Sequence, residues 1–150
     1  ALKVTPKSGK INRCAVFKTF KDVENARLPK NPKWKLVKEI NMGEYAKRSQ
    51  FALFFKGYFY AVKDAVYTFS TNSDDGSLLY INNKLVVDNG KNHSLKSESG
   101  AIALKKGWHR LNINYYEAGG AGGLSVYYAP QGEKLQPLQG DVIGYTSISN

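Results

Sequence analysis

Two adjacent carboxylates, Asp74 and Asp75, are the most chemically loaded pair in the sequence. Carboxylate oxygens are among the hard donors that calcium takes, with about six to eight oxygens of all kinds around each ion. A regular strand sends neighbouring side chains to opposite faces and would split this pair. Gly76 follows directly, and an Asp-Gly step also makes a turn in which Asp74 bonds nearby backbone N–H groups. The residue types leave both readings open, a cation-binding pair or a turn. A second group is Asp88, Asn89, Asn92 and His93, gathered in one polar stretch. In a β-rich fold such loops collect at one end and can line a binding site. Asp and Asn at this density are also ordinary turn chemistry. Tyr58, Tyr60, Trp108, Tyr115 and Tyr116 have faces that could stack on a sugar ring, but their alternating strand positions favour the core. Trp34, in a Pro-flanked loop, is the less core-like tryptophan and the platform candidate. Asn92-His93-Ser94 fits the N-glycosylation pattern.

No catalytic set accompanies these groups. His93 and His109 are the only histidines, too few to show metal spacing. There is no G-x-S-x-G elbow, P-loop or dinucleotide fingerprint. Cys14 is the only cysteine, which removes an intrachain disulfide and a cysteine-based metal site.

The elements that must hold these residues are strands. The chain has 150 residues, suiting one domain over 1–150, and 42% of them are hydrophobic, enough for a core without a metal or disulfide to staple it. Ten Tyr, seven Phe and two Trp lean toward β-structure. Residues 1–13 read as a lead-in broken by Pro6, Ser8 and Gly9, and 140–150 as a second flank. Cys14–Phe20 reads as a first strand, and 21–49 as an extended loop with a short strand around Trp34–Ile40, because Pro29 and Pro32 oppose a helix. Phe51–Ala61 and Val66–Ser70 follow as strands. Leu78–Ile81 and Leu85–Val87 flank Asn82-Asn83-Lys84 as a hairpin, since Asn tolerates the left-handed backbone of a tight turn. A polar loop covers Asp88–Ser99. Ala101–Leu104, His109–Tyr116 and Leu124–Tyr128 complete the pattern, with Glu117–Gly123 a glycine-rich loop before the last. Short strands at this spacing predict an all-β, antiparallel β-sandwich or barrel.

The formal net charge is +10. Residues 1–60 carry 14 Lys and Arg against 4 Asp and Glu, whereas the remainder balances at 8 and 8. Such a segment can attract anionic polymers, yet its lysines are scattered and no nucleic-acid motif accompanies them. A solvated or neighbour-facing surface is the expectation, with no nucleic-acid partner. The longest apolar run, Phe51–Phe55, falls far short of the ~20 residues of a membrane-spanning helix, so membrane insertion is not expected. No signal peptide is visible.

The ordered set Gly57-Tyr58-Phe59, Tyr67-Thr68-Phe69, Ser73-Asp74-Asp75-Gly76-Ser77-Leu78-Leu79-Tyr80-Ile81, Leu85-Val86-Val87-Asp88-Asn89, Leu104-Lys105-Lys106-Gly107-Trp108-His109 and Tyr115-Tyr116-Glu117 closely resembles the PA14 family. The resemblance is clearest over residues 50–130. It implies a PA14-like β-sandwich of the kind found in bacterial toxins, glycosidases, adhesins and yeast flocculins, often an accessory carbohydrate-binding module. In well-understood sugar-binding members, two adjacent aspartates joined by a cis peptide hold calcium, which in turn binds sugar hydroxyls. Asp74 and Asp75 occupy that pair's position, and a cis bond would swing both carboxylates to one side. Yeast members place an Asn where this chain has Glu117, so the implied calcium set is Asp74, Asp75 and Glu117. The loop Ala118–Gly123 lacks the aromatic that shapes the sugar pocket in those members. The candidate carbohydrate-contacting residues are Asp74 and Asp75 from the resemblance, with Asp88, Asn89, Asn92, His93 and Trp34 from their residue types and loop positions.

The resemblance implies a non-catalytic module with Ca2+ as cofactor and a carbohydrate or glycan as partner. It would sit beside an adjacent catalytic domain in the same chain, such as a glycoside hydrolase, in a secreted, periplasmic or cell-surface protein of bacterial type. The alternative is a structural domain packing on its neighbour without binding sugar.

Overall fold

The alternation of large apolar and small or polar residues along the chain builds two antiparallel sheets with one core between them. The computed structural model describes residues 4–148. In chain order the strands are β1 (Lys7–Ser8), β2 (Ile11–Val16), β3 (Lys35–Val37), β4 (Phe51–Ala61), β5 (Ala65–Asp74), β6 (Ser77–Ile81), β7 (Lys84–Asn89), β8 (Lys96–Leu104), β9 (Gly107–Glu117), β10 (Gly123–Pro130), β11 (Gln136–Pro137) and β12 (Ile143–Tyr145). The larger sheet runs β1-β12-β4-β9-β6-β7, with β2 pairing β3 and β4. The smaller runs β11-β10-β5-β8. Among the described residues no helix is long and apolar enough to cross a membrane.

Leu53, Phe55 and Phe59 of β4, Leu111, Ile113 and Tyr115 of β9, and Tyr67 and Phe69 of β5 line the inner faces. Phe59 is the hinge of this core. Its ring meets those of Tyr67, Phe69 and Tyr128 edge-on, with centroids 5.4, 5.0 and 5.3 Å away. Edge-to-face contacts of this kind add to the energy of burying the rings.

The outer face of the larger sheet has a second, smaller core. Cys14, Ala52, Phe54, Leu78 and Tyr116 lie under the segment that carries Val23 and Ala26, with Phe20 and Trp34 packed against them. Cys14 is buried, and its burial pushes the thiol up from its ordinary range.

The strand expectations hold for β3, β4, β6, β9 and β10, and differ elsewhere for identifiable reasons. The lead-in and the C-terminal flank pair with one another: Lys7 lies opposite Tyr145 and Ser8 opposite Gly144. Residues 1–3 and 149–150 of those flanks lie outside the described residues. The first long strand is Ile11–Val16 rather than Cys14–Phe20, and Phe17, Lys18 and Thr19 are exposed. The expected Asp88–Ser99 loop is shorter at both ends, because β7 continues through Asn89 and β8 begins at Lys96. Backbone pairing carries strands through polar residues whose side chains show no alternation. The Asn82–Asn83 turn is as expected, with both residues at positive φ, 51° and 65°.

Candidate functional site at one end of the sandwich

The chain changes sheets at Asp75-Gly76. Asp74 is the last residue of β5 in the smaller sheet, opposite Gly123. Ser77 opens β6 in the larger sheet, opposite Tyr115. The peptide bond between Asp74 and Asp75 is cis. Gly76 is hemmed in by the β7–β8 loop: a Cβ there would collide with the Lys91 carbonyl oxygen and lie 3.0 Å from Cγ1 of Val23. Its own carbonyl accepts the Tyr116 N–H at 3.0 Å. Only glycine fits this corner, so the Asp-Gly step is a packing requirement as much as a turn signal.

Asp75 is buried, and its Oδ2 accepts the Ala118 N–H at 2.8 Å. Asp74 is half-buried, and its carbonyl accepts a 2.6 Å hydrogen bond from Oη of Tyr115. The same Tyr115 oxygen accepts the Gly123 N–H at 3.3 Å. Glu117 ends β9 and is 0% exposed. Its Oε1 accepts the Gly119 N–H at 2.8 Å, while Oε2 is buried with no hydrogen-bond partner among the described residues. Gly122 closes over it, since a Cβ there would lie 2.9 Å from Cγ of Glu117 and 2.6 Å from Cε of Met42.

Three carboxylates thus share one end of the sandwich, and their acidities record it. Burial raises the Glu117 carboxyl above its ordinary range, and repulsion from Asp75 and Asp74 adds to this against the Gly119 hydrogen bond. Burial also raises Asp74, with Asp75 pushing the same way and His93 opposing. Burial drives the Tyr115 hydroxyl up as well, so it stays a neutral donor. A cation placed here would remove that repulsion and satisfy the orphaned Oε2. Among the described residues no three His, Cys, Asp or Glu side chains already converge as a metal cage. The donor chemistry nevertheless fits calcium, whose remaining ligands are commonly carbonyls and water. It does not fit a metal that needs nitrogen or sulfur.

The other candidates fall in different places. Oδ1 of Asp88 accepts the Gly90 N–H at 3.1 Å, an Asx turn on the surface. Asn89, expected at a carbohydrate, is 1% exposed and sits between the sheets. Its amide nitrogen lies 2.8 Å from the Lys96 carbonyl and 3.3 Å from Oγ1 of Thr71 and Oγ of Ser73. A residue so enclosed organises the loop and offers nothing to a glycan. Asn92 is exposed and donates to the Lys21 carbonyl at 2.8 Å, tying the loop to the N-terminal segment. Both ring nitrogens of His93 face backbone carbonyls, Nε2 that of Asn89 at 2.9 Å and Nδ1 that of Ser94 at 2.7 Å. Trp34 packs half-buried on the second core and is no free platform. Of the sequence candidates, the fold brings together Asp74, Asp75 and Glu117, with His93 near Asp74.

Two contributors escape a sequence reading. Tyr115 looks like core, and it is, yet its hydroxyl holds the Asp74 carbonyl. The N–H groups of Ala118 and Gly119 orient two of the carboxylates. The nearest signal is the step from Tyr115-Tyr116-Glu117 into a run of small residues, which frees the backbone to turn its N–H groups inward.

Comparison with known proteins agrees with this architecture. No curated protein matches the sequence at a significant level. Among solved structures, an anti-sigma factor domain-containing protein from Clostridium clariflavum superposes with a TM-score of 0.76 at 17% identity, over 93% of this chain and 48% of its own. The chain therefore spans about half the length of that relative. The PA14 domain of the antifreeze protein MpAFP gives 0.76 at 14% identity, over 96% of this chain and 95% of its own. A PA14 sugar-binding domain from an RTX adhesin gives 0.72 at 14% identity, over 94% of this chain and all of its own. These identities speak to the fold, and the sequence match speaks to the family. The PA14 domain model matches residues 35–140, a span that holds the cis Asp74–Asp75 corner, the smaller sheet, the β3, β4, β6, β7 and β9 strands of the larger one and Glu117, and the chain belongs to the PA14 domain family.

Proposed function

We propose that this domain is a non-catalytic carbohydrate-binding module whose site is the Asp74, Asp75 and Glu117 end of the sandwich, and that calcium is its cofactor. The observation that carries the reading is Glu117, a buried carboxylate with one oxygen left without a partner beside a buried aspartate. Burying a charge this way is costly unless something pairs with it. The RTX adhesin domain of the same fold, described as sugar-binding, supports the same choice of ligand.

The residues divide the work. Tyr115 and Gly76 hold the backbone on either side of the pair. Ala118 and Gly119 fix one oxygen each of Asp75 and Glu117, leaving the second oxygens and Asp74 as ligands. Calcium bound there would supply open coordination positions for vicinal sugar hydroxyls. The module would belong to a larger secreted, periplasmic or cell-surface protein of bacterial type, next to a catalytic domain such as a glycoside hydrolase.

The test is a glycan array probed with calcium and again with chelator. Binding that requires both calcium and Asp75 supports the proposal, and an array blank under both conditions overturns it. A structural role against a neighbouring domain is favoured by one feature: Phe17 and Leu36 are exposed within the basic first third of the chain. Unchanged stability of the neighbouring domain after removal of this one would count against that second reading.

A further inference from the structure

We infer that the open outer face of the larger sheet is a second binding surface, independent of calcium, for an acidic polysaccharide. This goes beyond the loop-end site and does not rest on it.

The second core covers only part of this face. Below it, Tyr58, Tyr60 and Trp108 belong to neither buried cluster. Tyr60 and Trp108 lie opposite each other on β4 and β9, their rings edge-to-face at 5.1 Å. The Trp108 ring rests on Gly144 of β12, where a Cβ would come within 2.7 Å of its Cη2 and Cζ3 atoms. Glycine at that position lets the ring sit against the backbone in one orientation. A half-buried aromatic held this way is a platform for the apolar face of a sugar ring.

Polar groups flank the platform in register. Asn12, Lys56, Asn112 and Tyr80 stand opposite one another across β2, β4, β9 and β6. At the usual strand spacing this row is about 14 Å long. Tyr58 and Arg110 form the next pair, toward the platform. Two clefts open here and share Asn112, one lined by Lys56, Tyr58 and Arg110 with Thr146 and Ile148 of the C-terminal segment along its edge, the other by Tyr80, Asn83 and Asn114. Asn12 is buried and donates to the Thr146 carbonyl at 3.2 Å, and Oη of Tyr58 lies 3.4 Å from Oγ1 of Thr146, so these two are partly engaged by that segment. No Asp or Glu lines either cleft. Lys56 and Arg110 are exposed and enter none of the ion pairs among the described residues.

Charge complementarity selects the occupant. Two unpaired cations attract an anion, and Arg pairs with a carboxylate in a fixed fork. The amides of Asn83, Asn112 and Asn114 and the phenol of Tyr80 outnumber them, and these match hydroxyl groups as donor and acceptor. A single-stranded nucleic acid needs a track of cations along its phosphates, which this face lacks.

The test is native affinity electrophoresis through gels containing polygalacturonate, with EDTA throughout, so that failure of the calcium site leaves the result untouched. Wild type should be retarded. Lys56→Gln/Arg110→Gln, at two exposed positions, should bind about tenfold more weakly or worse, and Trp108→Ala likewise. Lys47→Gln/Lys134→Gln removes the same charge elsewhere and should retain binding. Thermal melts check that each variant is folded. The inference is overturned by no retardation of wild type, or by equal loss in the control pair. It is also overturned by equal retardation in neutral hydroxyethylcellulose, or by tighter binding to single-stranded DNA than to polygalacturonate.

Discussion

Oδ2 of Asp75 accepts the backbone N–H of Ala118 at 2.8 Å, a hydrogen bond that spans 43 residues of sequence. It ties the corner where the chain changes sheets to the loop that leaves β9. The corner and the loop therefore depend on one another, and a carboxylate that serves a ligand also closes the end of the sandwich.

Calcium binding should need both members of the pair. In a calorimetric titration of the metal-stripped domain, Asp74→Ala and Asp75→Ala should each abolish binding. Tyr115→Phe keeps every carboxylate and loses the hydroxyl that holds the Asp74 carbonyl at 2.6 Å and accepts the Gly123 N–H at 3.3 Å. Its affinity should fall by about fivefold, since only the bond to the Asp74 carbonyl bears on the pair and one ordinary hydrogen bond is worth ~1 kcal/mol. Full affinity in Asp75→Ala would falsify the assignment.

Glu117 sets a pH dependence whose sign follows from its raised carboxyl pKa. The folded protein holds that proton more tightly than the unfolded chain, so its contribution to stability is complete below the unfolded value. That contribution is lost as pH rises through the folded value. Asp74 acts in the same direction. Glu24 opposes them: burial raises it, but hydrogen bonds involving Lys91 outweigh this and leave it lowered, so its contribution is lost on acidification. Comparison with Glu117→Gln cancels the background. In chelator, above the raised Glu117 value, the Gln variant should melt higher than wild type, and the gap should close as pH falls through that value. A gap that does not vary with pH would show that burial of this carboxylate costs nothing.

Gly76→Ala drives a methyl group into the Lys91 carbonyl and toward Val23. The neighbour is backbone and cannot swing away, so the cost should be about 1–3 kcal/mol of stability, read by urea denaturation. Calcium affinity should fall in parallel, since the same corner carries the aspartates. An unaffected midpoint would mean that the β7–β8 loop yields freely.

Phe59→Ala removes the ring on which Tyr67, Phe69 and Tyr128 converge. The loss should be about 3–5 kcal/mol, enough to unfold a marginal domain at ambient temperature. Circular dichroism melts would register it, and a loss under 1 kcal/mol would require the two sheets to close over the cavity.

Much of this protein was legible in its sequence because period-two alternation reports burial directly. Phe51–Ala61 and His109–Tyr116 declared their inner faces, and Asn82-Asn83 declared its turn. The aspartate pair and Glu117 were legible as an ordered pattern at characteristic spacing. What alternation cannot report is which backbone edges find each other. The pairing of Lys7–Ser8 with Gly144–Tyr145 has no side-chain signature, because it rests on N–H and C=O groups that every residue carries. For the same reason the polar stretch Lys96–Ser99 becomes strand: β5 supplies the partner.

The tertiary structure alone separated the polar candidates. Asn89 and Asn92 are three positions apart and chemically identical. One lies between the sheets with its amide enclosed, and the other bonds the Lys21 carbonyl at the surface. Trp34 and Trp108 are both half-buried, but Trp34 packs on the second core because the 17–34 segment folds over that part of the sheet, whereas Trp108 lies outside both clusters. The sequence by itself determined the long alternating strands, the family and the carboxylates, since those depend on residue type and local spacing. Which carboxylate oxygen is left without a partner, and which tryptophan packs on the second core, was decided by contacts between residues far apart in the chain.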